Sequence, residues 1–355
     1  MDFWKREYAE CELVGEAMSP LVGNGILIGF VGQAALSLGL SAWVFFLTTH
    51  GNIDLTHPEG TPKREIEHKR LDFVSNILMI GSDIQTTLGI AYMVTVFSQA
   101  QIMDTYHLHV VFDIVSFVGV SNTAALVCWK YCRAKLDPSD TSISPPSKSK
   151  RDSLRSFYWN DRSRAAFLFT ALYIALTILL CIRLHEWAPD TAPGRCYYTH
   201  LVTSVTASHP GADETYVGTT ASWLVVVLLF SIFGGVRLRR GILILSYLQF
   251  PLHLYMTIAL RIANEGKFEG EMKHENEWDF GQTTAVVLLG IAVVEFLKKG
   301  KEYYDFETYV MKNGTVPDAG ESCRSQSRDE EANVDSYLLK TRSEQSPGTS
   351  DVSRR

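Results

Sequence analysis

Seven long apolar blocks separated by charged segments constrain this chain more than any other feature of its sequence. A helix needs about 20 apolar residues to cross a hydrocarbon core of ~30 Å. A few such blocks could be buried helices of a soluble protein, but seven could not. We therefore predict an all-α polytopic membrane helix bundle with about seven transmembrane helices. The blocks comprise residues 25–47, 73–98, 106–130, 165–182, 217–236, 241–260 and 280–297.

The distribution of lysine and arginine predicts the orientation of these spans, because positive charge marks the cytosolic side. Segments 48–70, 131–164, 237–240 and 298–317 together hold 19 such residues. The alternate segments 1–24, 99–105, 183–216 and 261–279 hold seven. This alternation requires an odd number of spans, with the N-terminus luminal or outside and the C-terminus in the cytosol.

The same pattern divides the chain into three regions. We predict a luminal segment at 1–24 and a transmembrane domain at 25–300 that includes a basic cytosolic loop at 131–164. The remainder, 301–355, is predicted to be a cytosolic and mostly disordered tail, because it is rich in Ser, Glu, Asp and Arg. Cys11 and Cys196 fall on the same predicted side and could form a disulfide or remain two free thiols. We expect the endoplasmic reticulum membrane, since no other targeting signal is present.

Several polar residues lie within the predicted spans, where an ionisable group costs at least ~2.5 kcal/mol and therefore marks a candidate functional site. The second span carries Asp83 and the third carries Asp113. The sixth places Gln249 and His253 one turn apart, and the first carries Gln33. A rise of about 1.5 Å per residue puts Gln33, Asp83, Asp113 and His253 in one layer about 10–12 Å below the outer boundary. We predict that these groups meet inside the bundle.

Each of these residues also has a structural interpretation. Membrane carboxylates such as Asp83 and Asp113 often only hydrogen-bond to neighbouring helices. His253 can likewise be a structural residue whose ring nitrogens only hydrogen-bond to neighbouring helices. Glu277 and Asp279, at the outer end of the last span, could cap that helix or line the mouth of a cavity.

The motifs of several membrane protein classes are not found in the sequence. The last span has no lysine at its middle for a retinal Schiff base, and the third span has no Asp-Arg-Tyr at its inner end. A Gly-x-x-x-x-Gly-Lys phosphate loop and an Asp-Asp-x-x-Asp cluster for Mg²⁺ are likewise not found. We therefore expect no cofactor and no metal. The expected partners are the lipid bilayer and a small lipophilic molecule, and not a nucleic acid.

Residues 69–129 open with KRLDFVSNILMIGSDIQTTLG and are preceded at 54–61 by DLTHPEGT. Together with ENEWDFGQ at 275–282, this stretch resembles a set of fungal multi-pass membrane proteins. The set includes the membrane-bound terpene cyclases of meroterpenoid pathways, of the ascofuranone, ascochlorin and macrophorin type. The resemblance covers roughly residues 20–300, and no residue role is transferred from it to this chain. It implies cyclisation of a farnesyl-type chain attached to an aromatic or quinone-like head, started by protonation of a terminal epoxide or alkene.

Such chemistry needs a carboxylic acid that stays protonated, which burial in a low dielectric favours. It also needs an aromatic-lined cavity that excludes water. Our hypothesis makes Asp83 or Asp113 the proton donor, with the other tuning or reprotonating it. His253, Gln33 and Gln249 would orient the substrate or relay the proton, and Glu277 and Asp279 are second-choice acids.

Two other functions fit the same residues. In a proton-coupled transporter or exporter of a metabolite, the buried aspartates would be the proton-coupling sites. In a seven-helix receptor, the basic loop and the tail would form the signalling face, so that deletion of 314–355 would abolish function.

Overall fold

The computed structural model describes residues 11, 14–49, 55, 57–136, 161–188, 194–199, 210–233, 239–268 and 278–316. Seven of its helices are long and apolar enough to cross a membrane, as predicted. The chain is therefore a multi-pass, all-helical membrane protein. The helices are α1 Ser19–Val22, α2 Asn24–Thr49, α3 Pro62–Ser98, α4 Thr105–Leu136, α5 Asp161–His185, α6 Pro210–Phe233, α7 Arg239–Asn264 and α8 Phe280–Asn313.

Helix α4 lies at the centre of the bundle. It packs against α2, α3, α5, α6 and α7, and these five helices also contact one another in that order, with α7 returning to α2. The most apolar stretch of α4 is completely buried. Helix α8 lies outside this ring, where it packs on α2 and α3 and leaves most of its surface exposed. Polar side chains on α4 are therefore shielded from lipid on every side, which a peripheral span could not provide.

Side-chain caps explain where α3 and α8 begin. Thr61 accepts a hydrogen bond from the amide of Arg64, with Pro62 at the first helical position. At the start of α8, the side chain of Asp279 likewise accepts a hydrogen bond from the amide of Gln282. Of the two sequence interpretations of Asp279, the structure therefore supports the cap.

The last helix continues beyond the predicted end of the transmembrane domain. The transmembrane domain is predicted to end at 300, and α8 runs on to Asn313 and ends at Gly314, whose φ of 69° is typical of a glycine C-cap. The extension packs on the start of α3, where Tyr303 stacks on Phe73 and accepts a hydrogen bond from Arg70. The rest of the predicted tail, from 317 onward, lies outside the described residues, as do 137–160 of the predicted basic loop.

Glycines allow α2 and α8 to approach closely. A Cβ atom at Gly25 would lie 2.6 Å from the Cβ of Gln282, and one at Gly29 would lie 2.7 Å from the Cβ of Ala285. The four-residue spacing of these glycines is the small-xxx-small pattern that brings membrane helices together. Gln282 strengthens this crossing, because its side-chain oxygen accepts a hydrogen bond of 2.9 Å from the amide of Gly25.

We expect Gly29→Leu to destabilise the protein by about 1–3 kcal/mol, because the larger side chain pushes α8 away from α2. Gly39→Leu is the matched control on the same helix, since a Cβ at Gly39 meets no atom within 4 Å. The measurement is the thermal unfolding midpoint of the two purified variants in one detergent. Equal midpoints would show that α8 is not held by this crossing.

A cap, here called the outer cap, closes the end of the bundle that is predicted to be luminal. It consists of 14–18, 194–199 and 265–268. The amide of Val14 donates to the carbonyl of Lys267, and the amide of Thr105 donates to that of Gly194. Cys11 and Cys196 are placed as a disulfide with Cα atoms 6.1 Å apart, which decides between the two possibilities that the sequence left open.

Candidate functional site

A fully buried carboxylate on the central helix is the centre of the candidate site. Asp113 of α4 has an exposed fraction of 0%. Its Oδ1 atom accepts a hydrogen bond of 2.8 Å from the hydroxyl of Tyr216 on α6, and lies 2.7 Å from Nδ1 of His253 on α7. The Tyr216 hydroxyl is also 3.0 Å from Nδ1 of His253. Three side chains from three helices thus meet at one carboxylate oxygen.

A second buried group lies between this triad and the outer cap. Nδ1 of His109 is 2.7 Å from the hydroxyl of Tyr197 and 3.8 Å from Oδ1 of Asp213. That carboxylate oxygen also accepts a hydrogen bond of 3.2 Å from the hydroxyl of Thr199. Burial raises the pKa of Tyr197 well above its usual value, and the nearby Asp213 raises it further. The phenol therefore keeps its proton, so that it remains a hydrogen-bond donor.

Helical spacing explains why these side chains meet. His109, Asp113 and Ser116 follow one another at intervals of four and three residues, which places them on one face of α4. Asp213 and Tyr216 are three residues apart in the first turns of α6. On α7, His253 follows Gln249 by one turn, and Pro251 between them interrupts the backbone hydrogen bonding.

Aromatic rings surround the polar atoms. The ring of His253 lies 5.9 Å from that of Phe112 and 6.4 Å from that of Phe117. Phe112 also stacks on Tyr173 at 5.5 Å, and the Tyr173 hydroxyl is 3.0 Å from Ser116. The site is therefore a small polar centre with aromatic walls, and its atoms are shielded from both water and lipid.

Several buried polar atoms of this site have no hydrogen-bond partner among the described residues. They are Oδ2 of Asp113, Nε2 of His253, Nε2 of His109, Oδ2 of Asp213 and Oε1 of Gln249. An unsatisfied buried polar atom typically costs about 1–3 kcal/mol. A cluster of them is unfavourable unless a further molecule supplies the missing partners. These atoms are therefore the positions at which a bound polar group or an ordered water would find hydrogen-bond partners.

The structure brings together part of the predicted polar layer. Asp113 and His253 are in direct contact, and Gln249 lies one turn from His253, where its amide nitrogen donates to the carbonyl of Thr220 at 3.1 Å. The prediction that Asp83 meets these groups inside the bundle is wrong. Its side chain is 50% exposed on the outer surface of the bundle and pairs with Arg162 at 3.1 Å. Asp83 lies in a surface pocket between α3, α4 and α5, with a volume of about 350 Å³.

Gln33 does not join the cluster either. It is buried between α2, α3 and α8, where it lines a different pocket together with Glu295. Glu277 lies outside the described residues, and Asp279 caps α8 as stated above. Asp113 and His253 both have an exposed fraction of 0%, so the cluster is closed to the outside in this structure.

The sequence reasoning did not select Tyr216, Asp213, Tyr197 or His109 as site residues. Asp213 and Tyr216 were assigned to a loop because hydropathy alone started the fifth span at 217. Pro210 at the start of α6 was the signal that could have extended it, because proline is favoured at the first helical position. His109 lies four residues before Asp113 and therefore on the same face of α4, but the sequence does not show its partners Tyr197 and Asp213.

Comparison with protein-family models, with curated proteins and with solved structures finds no match to this chain. Among the residues that the structure describes, no three His, Cys, Asp or Glu side chains are grouped as metal ligands.

Proposed function

We propose that this chain is an integral membrane terpene cyclase, which protonates the terminal epoxide or alkene of a farnesylated aromatic substrate and cyclises it. The observation that carries the proposal is the buried Asp113, whose Oδ1 is bound by Tyr216 and His253 while Oδ2 has no partner. The sequence resemblance described above supports the same activity. Fungal secondary metabolism, in the endoplasmic reticulum membrane, is the setting that this resemblance favours.

The two oxygens of Asp113 suit different parts of the reaction. In the protonated acid, Oδ2 carries the proton that passes to the substrate oxygen or alkene carbon. Oδ1 keeps its hydrogen bonds from Tyr216 and His253, which stabilise the carboxylate that remains. The carbocation then adds to a double bond within the same chain, and a carbon returns one proton to the ionised Asp113, which regenerates the acid and leaves a neutral product. One proton enters and one leaves, so the product is an isomer of the substrate.

The walls of the site suit a cationic intermediate. A cation is attracted to the face of an aromatic ring within about 6 Å of its centroid. Phe112 and Phe117 supply such rings, and neither side chain carries a nucleophile that would trap the cation. Since Asp113 is fully buried, the proposal requires the bundle to open beside it when a substrate enters from the lipid.

A turnover assay tests the proposal. Membranes from cells that express the chain are incubated with a farnesylated phenol epoxide and with its alkene counterpart, without added Mg²⁺ or nucleotide. Chromatography with mass detection should show a new compound with the mass of the substrate. Membranes from cells that do not express the chain should not make it. The proposal fails if folded protein produces no isomer from either substrate. The transporter alternative instead predicts pH-dependent movement of the metabolite into vesicles with its structure unchanged.

A further inference from the structure

The surface pocket beside Asp83 lies between α3, α4 and α5. Its volume of about 350 Å³ falls within the range of about 300–1,000 Å³ that is usual for small-molecule sites. Most of the described residues that line it have polar side chains, namely Ser82, Asp83, Thr86, Thr87, Asn122 and Arg162. Polar side chains are unfavourable beside acyl chains, so they indicate a polar occupant.

The pocket lies near the end of α5 that is predicted to be cytosolic. Helix α5 contributes Arg162 and Ala165 to the lining, and its apolar span runs from Arg164 to His185. Arg162 also belongs to the basic segment 131–164, which predicts the cytosolic side. The contact with Arg162 therefore brings Asp83 nearer to this boundary than its sequence-based depth implied. Phospholipid headgroups form this layer of the bilayer, so they are the polar molecules closest to the pocket.

Two buried polar side chains in the lining have atoms without a protein partner. Asn122 has an exposed fraction of 3%, and its Oδ1 accepts a hydrogen bond of 2.6 Å from Ser82. Within the described part of the chain, Nδ2 of Asn122 makes no hydrogen bond, and neither does the hydroxyl of Thr86, which is 5% exposed. Both groups can donate to an acceptor in the pocket.

The charged residues of the pocket form one half-exposed ion pair. Oδ2 of Asp83 lies 3.1 Å from Nη2 of Arg162, and the two side chains are 50% and 39% exposed. The guanidinium also lies 5.6 Å from the ring centroid of Trp129. Because a pair this exposed contributes little to stability, both charges can bind an outside ligand without a large loss.

These two charges narrow the chemistry of the headgroup. A zwitterionic head satisfies both, because its phosphate accepts from the guanidinium and its ammonium donates to the carboxylate. A purely anionic head would place its charge beside Asp83, and a purely cationic head would place its charge beside Arg162. The quaternary ammonium of choline has no N–H to donate and is usually held by aromatic rings, which the described lining does not contain. The matching head therefore carries a phosphate and a primary ammonium.

From this geometry we infer that the pocket between α3, α4 and α5 binds phosphatidylethanolamine from the leaflet that is predicted to be cytosolic. The phosphate pairs with Arg162, and the ammonium pairs with Asp83. Nδ2 of Asn122 and the hydroxyl of Thr86 donate to phosphate or ester oxygens. The apolar remainder of the lining contacts the first carbons of the acyl chains. The inference does not depend on the proposed cyclase activity.

Native mass spectrometry of the purified full chain tests the inference. The delipidated protein in detergent is mixed with equal amounts of phosphatidylethanolamine, phosphatidylcholine and phosphatidylserine that share the same acyl chains, and the one-lipid complexes are compared. We expect the ethanolamine lipid to exceed the choline lipid by about tenfold, because one charge-assisted hydrogen bond changes an affinity by about that factor. Phosphatidylserine should also bind less, since its additional carboxylate lies beside Asp83.

Three variants separate the parts of the site. Asp83→Asn should remove the preference, so that the ethanolamine and choline lipids bind equally. Arg162→Gln should lower the binding of both lipids by about tenfold, because both carry the phosphate. Thr86→Val keeps the shape of the side chain and removes a hydroxyl that has no partner in the described protein. It should therefore weaken lipid binding without lowering the unfolding midpoint of the delipidated protein.

Two ion pairs outside the pocket provide matched controls. Glu302 pairs with Lys299 at 2.8 Å, and Arg195 pairs with Glu186 at 2.8 Å. Glu302→Gln and Arg195→Gln should leave both the amount of bound lipid and its preference unchanged. Asp113→Asn should also bind lipid as the wild type does, which separates this site from the proposed reaction.

Several results would overturn the inference. Equal binding of the ethanolamine and choline lipids by the wild type would do so, as would a preference that persists in Asp83→Asn or phosphatidylserine bound as well as phosphatidylethanolamine. A lower unfolding midpoint of Thr86→Val would contradict the assignment of its hydroxyl to the lipid. Displacement of the lipid by excess soluble phosphoethanolamine would assign the pocket to a water-soluble ligand instead, whereas retention of the lipid supports the inference.

Discussion

Asp113→Asn should reduce isomer formation by about 10²- to 10⁴-fold, the usual contribution of a positioned general acid. The amide keeps the size of the side chain, but it cannot pass a proton from Oδ2 to the substrate. The rate of isomer formation per amount of folded protein, measured in membranes with the farnesylated epoxide, provides the test.

Asp83→Asn is the matched control for this prediction. It makes the same chemical change in a neighbouring helix, at a carboxylate that is half exposed and paired with Arg162. We expect its turnover to remain within about twofold of the wild type, since exposed ion pairs contribute little. Loss of turnover in Asp83→Asn with retention in Asp113→Asn would reverse our assignment of the acid.

Cys11→Ser should destabilise the protein by about 2–4 kcal/mol, which is typical for the loss of a disulfide. The bond joins cysteines 185 residues apart and attaches the N-terminal segment to the segment that carries Tyr197 and Thr199. Those two side chains contact His109 and Asp213, so the cap next to the candidate site should loosen as well. Thermal unfolding without reductant and hydrogen exchange of 194–199 provide the two measurements.

Two further variants control this result. Cys181→Ser removes a free, half-buried thiol on α5 and should change the midpoint little. The double variant of Cys11 and Cys196 should be no less stable than either single variant, because each single change already breaks the bond. A midpoint for Cys11→Ser equal to that of the wild type would mean that the bond does not hold the cap.

The number and the order of the membrane helices could be predicted from the sequence because hydrophobic length is a local property. The free energy of transferring a block of about 20 apolar residues into lipid depends on that block and not on its neighbours in the sequence. The ends were less predictable. Helix α6 begins at Pro210, and α8 continues to Asn313, where Gly314 is its C-cap; hydropathy measures neither end.

The candidate site could be predicted only in part, for a geometric reason. The rise per residue gives the depth of a side chain in the bilayer, but not the direction in which it points. Asp83 and Asp113 were assigned to one layer on depth, yet Asp113 is on the central helix and Asp83 faces outward. On α3 the inward direction is instead taken by the adjacent Ser82, which donates a hydrogen bond of 2.6 Å to Asn122.

Because α4 is the central helix but only the third span, several of the helices that cover it are synthesised after it. Asp113 enters the membrane 103 residues before Tyr216 and 140 residues before His253, the two side chains that bind it in the finished bundle. At ~5–20 residues per second, a ribosome needs about 7 to 28 s to make the interval to His253. During that time the most polar face of α4 has only earlier spans, lipid or the insertion machinery beside it. A truncated chain that ends before α6 should therefore be retained by that machinery or degraded, although each of its spans is apolar enough to insert.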